Sequence, residues 1–224
     1  MHDMADEAIV AKKEKNWAVK ATNTLGIHHK ELKVLAKEVG RDNDLAYELI
    51  DTGLYEARLL ASKMMKPKLV TAQMAEEWVL FFDNWEICDS FCMTVFARTD
   101  WAIEKIREWA IRDEEYVKRS AFATMAAYSM ADKKAENDVF EPFFMIIKSA
   151  ADDERTYVKK AVNWALRNIG KRNVDLKERA IQTALEILQL YPDSKAANWI
   201  ANDALKELEK EGVRISNYPK NIYG

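Results

Sequence analysis

Tyr116-Val117-Lys118-Arg119-Ser120-Ala121 recurs 41 positions later as Tyr157-Val158-Lys159-Lys160-Ala161. Each copy follows an acidic turn, Arg112-Asp113-Glu114 in the first case and Asp152-Asp153-Glu154 in the second. Self-similarity at a period of about 40 residues in a chain of helices is the signature of stacked helix pairs. One pair cannot bury its own apolar face, so each packs on the next, and the array presents an extended concave surface. Function is therefore to be sought on that surface.

The rest of the chain agrees with an all-α reading. Six Gly and four Pro in 224 residues are few for a β-rich or α/β protein, and 49% hydrophobic content is enough for a continuous core. The expected fold is all-α, a right-handed superhelical solenoid of HEAT-like helix pairs with a concave binding face, in one domain over residues 1–224 with an extended tail at 212–224. The net charge of -3 argues against a protein that coats itself with nucleic acid, but a basic inner face is compatible with an acidic outer one. There is no secretory leader pattern and no apolar run of about 18 residues, so a soluble, cytoplasmic protein with no membrane association is expected. Cys88 and Cys92 lie four apart on one expected helix; with only His28 and His29 as further ligands, they read as structural thiols, and neither metal nor cofactor is expected.

Apolar spacing predicts a lead helix over 4–22, broken at Gly26, and a second over 29–39 that stops at Gly40. Thereafter the first members of successive pairs fall near 43–51, 71–82, 100–111, 137–150 and 174–190, and the second members near 54–65, 84–97, 115–130, 156–170 and 195–210. Pro67 and Pro192 sit at boundaries, where a missing N–H does least harm.

The residues that read as chemistry fall on second-member helices. Asp83 or Asn84 is a natural cap for a helix on which Trp85 and Asp89, four positions apart, share a face. An indole beside a carboxylate can hold a ring and stabilise developing positive charge; equally, Trp85 reads as core and Asp89 as a cap or ion-pair residue. Arg119 lies off the apolar stripe of Val117, Ala121, Thr124 and Tyr128, where it is either a phosphate fork or a solvated partner of Glu115. Lys160, Trp164 and Arg167 stand at i, i+4 and i+7, a cation–indole–cation stripe suited to an anionic polymer unless the two stems merely cover the indole. Arg58 extends the basic track or pairs with a neighbouring acid. Trp78, Trp101 and Trp109, on first-member helices, read as packing. No phosphate loop, zinc-protease helix or nucleophile elbow is present.

Taken together, Leu25-Gly26-Ile27 leading into Leu32-Lys33-Val34-Leu35-Ala36-Lys37, Glu56-Ala57-Arg58-Leu59-Leu60-Ala61, Trp85-Glu86-Ile87-Cys88-Asp89 and Val158-Lys159-Lys160-Ala161-Val162-Asn163-Trp164-Ala165-Leu166-Arg167 resemble the DNA alkylation repair family of AlkD-like HEAT-repeat DNA glycosylases over nearly the whole chain. The resemblance implies a catalytic Trp85/Asp89 pair, a second tryptophan at Trp164 and DNA-contacting cations at Arg119 and Arg167, with Lys160 on the same stripe. It implies a monomer acting on double-stranded DNA that contains alkylated bases, excising positively charged N3- and N7-alkylated purines without a deep base pocket. Some branches of the family bind branched DNA instead. A non-catalytic scaffold for branched or damaged DNA, or for a protein partner, is thus the alternative, and the negative net charge favours it.

Overall fold

The computed structural model describes residues 1–17 and 23–224. Every regular element among them is helical. In chain order the α-helices are α1 (Glu7–Trp17), α2 (His29–Val39), α3 (Asn43–Asp51), α4 (Tyr55–Met64), α5 (Ala72–Val79), α6 (Trp85–Thr94), α7 (Ala102–Ala110), α8 (Glu115–Ala131), α9 (Glu141–Ser149), α10 (Thr156–Gly170), α11 (Val174–Leu190), α12 (Lys195–Leu208) and α13 (Lys220–Tyr223). None of the described helices is long and apolar enough to cross a membrane. The lead helix starts three residues later than its spacing suggests, and its expected end lies outside the described residues.

Local chemistry explains where the pairs begin. Asp42, Thr71, Asn84, Asn173 and Ser194 each accept the backbone N–H three residues on, satisfying a donor that the first turn leaves without a partner. Pro142 occupies the first turn of α9, where a missing N–H is tolerated.

The chain divides into two compact units, Met1–Trp101 and Ala102–Gly224. In the first, α2 packs on α4 and α4 on α6, with α3 against α4. An aromatic chain fills the space between pairs: Trp78 lies 5.6 Å from Phe91, Phe91 5.9 Å from Phe96, and Phe96 5.5 Å from Trp101, whose indole N–H donates to Val70 O at 2.8 Å. The entrance to this unit is held by one carboxylate. Glu56, fully buried on α4, accepts hydrogen bonds from Thr24 Oγ1 at 2.7 Å and from the N–H groups of Leu25, Gly26 and Ile27 at 2.9, 2.9 and 3.2 Å.

In the second unit, α8, α10 and α12 pack in sequence, while α7 packs on α8, and α11 lies against α9, α10 and α12. The two copies of the sequence repeat touch directly: the Tyr116 and Tyr157 rings stack with centroids 5.8 Å apart. The acidic turn before the second copy is also structural. Asp153 bridges Lys118 at 3.1 Å and Arg155 at 2.6 Å. Burial alone would raise its pKa, but the hydrogen bonds from Arg155 and Lys118 outweigh that and hold it at about 2. A carboxyl depressed in the folded state stabilises above its unfolded pKa and loses that contribution as pH falls through the folded value. The destabilisation caused by Asp153→Asn, on the order of 1 kcal/mol for a partly solvated pair, is therefore expected in urea melts at pH 6 and should shrink toward nothing as pH falls from about 4 to about 2.

The tail is not simply extended. Ser216 and Tyr218 donate backbone N–H groups to Lys171 O at 2.9 Å and Arg172 O at 3.0 Å, and α13 follows. Arg172, 1% exposed, anchors this corner by donating to Ser129 O and Ala135 O, both at 2.6 Å, with its guanidinium 4.6 Å from the centroid of the Phe140 ring.

Candidate active site and nucleic-acid interface

Asn84, 2% exposed, caps α6 by accepting from Ile87 N at 3.0 Å, and its amide donates to Asp83 at 2.7 Å. Of the two expected caps, the asparagine takes the role. Ile87, Cys88, Phe91 and Cys92 then turn into the core. This leaves Trp85, Glu86, Asp89 and Met93 on the open arc, the first three half-buried and Met93 42% exposed. Trp85 and Asp89 therefore share a face, as their spacing requires, with the indole one turn from the carboxylate. The two thiols are buried and unbridged.

Next to this face lies a polar cluster that the sequence does not announce. The Glu86 carboxylate meets His29 Nδ1 from α2 at 2.7 Å and accepts a hydrogen bond from the Tyr55 hydroxyl of α4. Burial, and then the nearby Glu86 charge, push the Tyr55 phenol well above its ordinary range. Ser62 Oγ and Ser90 Oγ are 2.7 Å apart, and Lys63 Nζ donates to Ser90 Oγ at 3.0 Å. His29 is thus committed to a carboxylate, and no group of three or more metal-ligating side chains occurs among the described residues. The signal available in the sequence was Glu86 itself, an acid set between Trp85 and Ile87.

The second unit carries the other candidates. Lys160 is exposed and Trp164 half-buried on α10, so cation and indole follow one another along an accessible stripe. Arg167, the third member, is engaged with α12: it pairs with Glu207, its Nε lies 3.6 Å from Asp203, and Lys171 reaches the same Glu207 at 2.6 Å. Burial alone would raise the Glu207 pKa, but Lys171 and Arg167 hold it below the usual carboxylate range.

Arg119 differs from the open, basic face expected of it. It is 5% exposed, its neighbours Ala123 and Ala126 are fully buried, and its Nη1 donates to Tyr157 O at 2.6 Å. The reason is that α8 is packed by α7 and α10 and the guanidinium reaches the first turn of the next repeat. Arg119 and Lys160 match in register but not in exposure. Arg58, for which an acidic partner was expected, instead stacks over the Phe81 ring at 4.3 Å. Trp78 and Trp109 are buried, as packing residues should be, whereas Trp199 is 40% exposed.

The model of the DNA alkylation repair enzyme family matches residues 1–208. This chain belongs to that family. The chain is similar to an uncharacterized protein of Listeria innocua, Lin0241, at 20% identity, covering 82% of this chain and 81% of that protein. A solved structure from a family of proteins related to the HEAT-like repeat DNA glycosylases, with affinity for branched DNA structures, covers 96% of this chain and 93% of its own with a TM-score of 0.74 and 18% identity. The all-α fold of this DNA alkylation repair family member is thus the HEAT-like repeat fold.

Proposed function

We propose that this protein is a DNA glycosylase that excises positively charged N3- and N7-alkylated purines from duplex DNA. The observation that carries this reading is the joint presentation of Trp85 and Asp89 on the open arc of α6. An alkylpurine cation is already a good leaving group, so protonating it gains little. What accelerates C1′–N bond cleavage is a fixed negative charge beside the sugar as it becomes oxocarbenium-like. Asp89 supplies that charge and orients the attacking water. The Trp85 face holds the sugar of the charged nucleotide, and within the second unit Trp164 offers DNA an aromatic face beside Lys160. Lys160 contacts phosphate, Arg167 does so as one member of its network with Glu207 and Asp203, and Arg119 acts indirectly by fixing the start of α10.

The test is release of free 7-methylguanine or 3-methyladenine from methylated duplex DNA by the purified protein. No release from DNA that the protein demonstrably binds would overturn the enzyme reading. Binding itself is checked by salt titration: Lys160→Ala is expected to weaken duplex affinity uniformly across sequences and to lower the salt slope by about 1. An unchanged slope would remove Lys160 from the interface.

A non-catalytic scaffold for branched DNA is the second reading. It is favoured by the engagement of Arg167 with two acids, which lowers the positive charge available to a straight duplex, and by the branched-DNA affinity of the structurally similar family. Tighter binding to a four-way junction than to methylated duplex, with no base release, would select it.

A further inference from the structure

Lys63 has no part in the excision step, yet its environment is unusual for a lysine. Its Nζ crosses from α4 to Ser90 Oγ of α6 at 3.0 Å. Glu86 shares the open arc of α6 with Trp85 and Asp89, and Ser90, four residues after Glu86, stands one turn on at the edge of that arc, so the amine borders the face that carries the candidate pair. The ionisable groups around it are Glu86 from α6, Lys33 from α2, and the His29 and Tyr55 side chains bound to Glu86. Ser62 and Ser90 complete the niche with neutral hydroxyls. Burial lowers the Lys63 pKa, Glu86 opposes and Lys33 assists, and the balance is about 8. Roughly a fifth of such a group is free amine at pH 7.4, against about one part in a thousand for an ordinary lysine.

The geometry points to Lys63 as an amine nucleophile that captures abasic sites in DNA, a role that rests on the proposed base excision only in that excision generates such sites. The neutral Nζ attacks the aldehyde carbon C1′ of the ring-opened deoxyribose, and a C–N bond forms. The carbonyl oxygen then leaves as water with the two amine protons, giving a neutral imine that hydrolysis reverses. A half-buried amine beside hydroxyls suits this step, because the free base is the reacting form and Ser90 fixes its direction. Reversible covalent capture would hold the reactive aldehyde at the protein after the base has gone.

The experiment uses the full chain and duplex DNA containing one preformed abasic site, with sodium borohydride to reduce the imine to a stable secondary amine. A denaturant-resistant protein–DNA adduct is expected, mapped by mass spectrometry to Lys63, with a yield that rises with pH through about 8. Lys63→Arg, which keeps the charge but cannot form the imine, is expected to lose the adduct while still binding the duplex. No adduct from wild-type protein bound to the abasic duplex, or an adduct mapped to another amine, would overturn the inference. Mapping on the wild-type chain decides the matter even if the variant fails to fold. Because the abasic site is preformed, adduct formation without base release from methylated DNA would sink the glycosylase reading and leave the capture standing. Release without an adduct would do the reverse.

Discussion

Replacing Asp89 by Asn is expected to lower single-turnover release of 7-methylguanine by about 10²–10³-fold, the loss typical of removing one preorganised electrostatic group. The amide matches the carboxylate in size, so duplex binding should stay close to wild type, and a thermal melt of the variant separates any loss of folding from the loss of rate. On the proposed mechanism, what disappears is the negative charge beside the sugar. Because that charge matters only when positive charge develops at C1′, the effect should fall on the chemical step and leave the affinity for methylated duplex nearly unchanged. A residual rate within a few-fold of wild type would show that another group stabilises the sugar, and Asp89 would return to being an ordinary surface acid. Trp85→Ala serves as the companion variant, since loss of the indole should weaken both binding and rate.

The largest stability effect is expected at Glu56. Four donors converge on its buried carboxylate, three of them the backbone N–H groups of residues 25–27, of which Gly26 also reaches Thr24 Oγ1 at 3.3 Å. Glu56→Ala removes the acceptor they share, for a cost of about 3–5 kcal/mol by analogy with breaking a buried charged pair. For a chain of this size that corresponds to a fall on the order of 10 °C in melting temperature. Glu56→Gln should fall between, because an amide offers one acceptor oxygen and turns an N–H donor toward the remaining groups. Gly26 tests the same clasp from the other side. It has φ of +75°, and an added Cβ would stand 2.0 Å from Asp6 O, so Gly26→Ala combines left-handed strain with a backbone clash. A thermal shift under about 2 °C for both Glu56→Ala and Gly26→Ala would show that the clasp contributes little to the folded state.

That clasp also explains two stretches that looked distinctive in the sequence without a stated reason. Leu25-Gly26-Ile27 and the acidic start of Glu56-Ala57-Arg58-Leu59-Leu60-Ala61 are a loop and the carboxylate that closes it. They lie about 30 positions apart, so no window of helical periodicity joins them. Helix ends were easier to read, because they depend on residues a few positions apart: α2, α3, α10 and α11 span the ranges that their spacing predicts, and Asp42 and Asn173 cap α3 and α11. The shared face of Trp85 and Asp89 is legible for the same reason, since it depends only on rotation per residue within one helix.

The cationic candidates show where such reading stops. By spacing, Arg119, Lys160 and Arg167 are equivalent cations on neighbouring inner helices. In the folded chain Lys160 is exposed, Arg167 is held by Glu207 and Asp203, and Arg119 is buried on the carbonyl of Tyr157. What separates them is a set of partners 36 to 40 positions away, close to one repeat length. The local pattern of this chain determined that it forms helix pairs, where those pairs begin and which side chains share a face, because each depends on interactions within a few residues. Tertiary structure alone decided which charges remain available, and placed Lys63 beside Glu86 and Ser90. Desolvation and pairing are set by whatever the neighbouring repeat brings within reach.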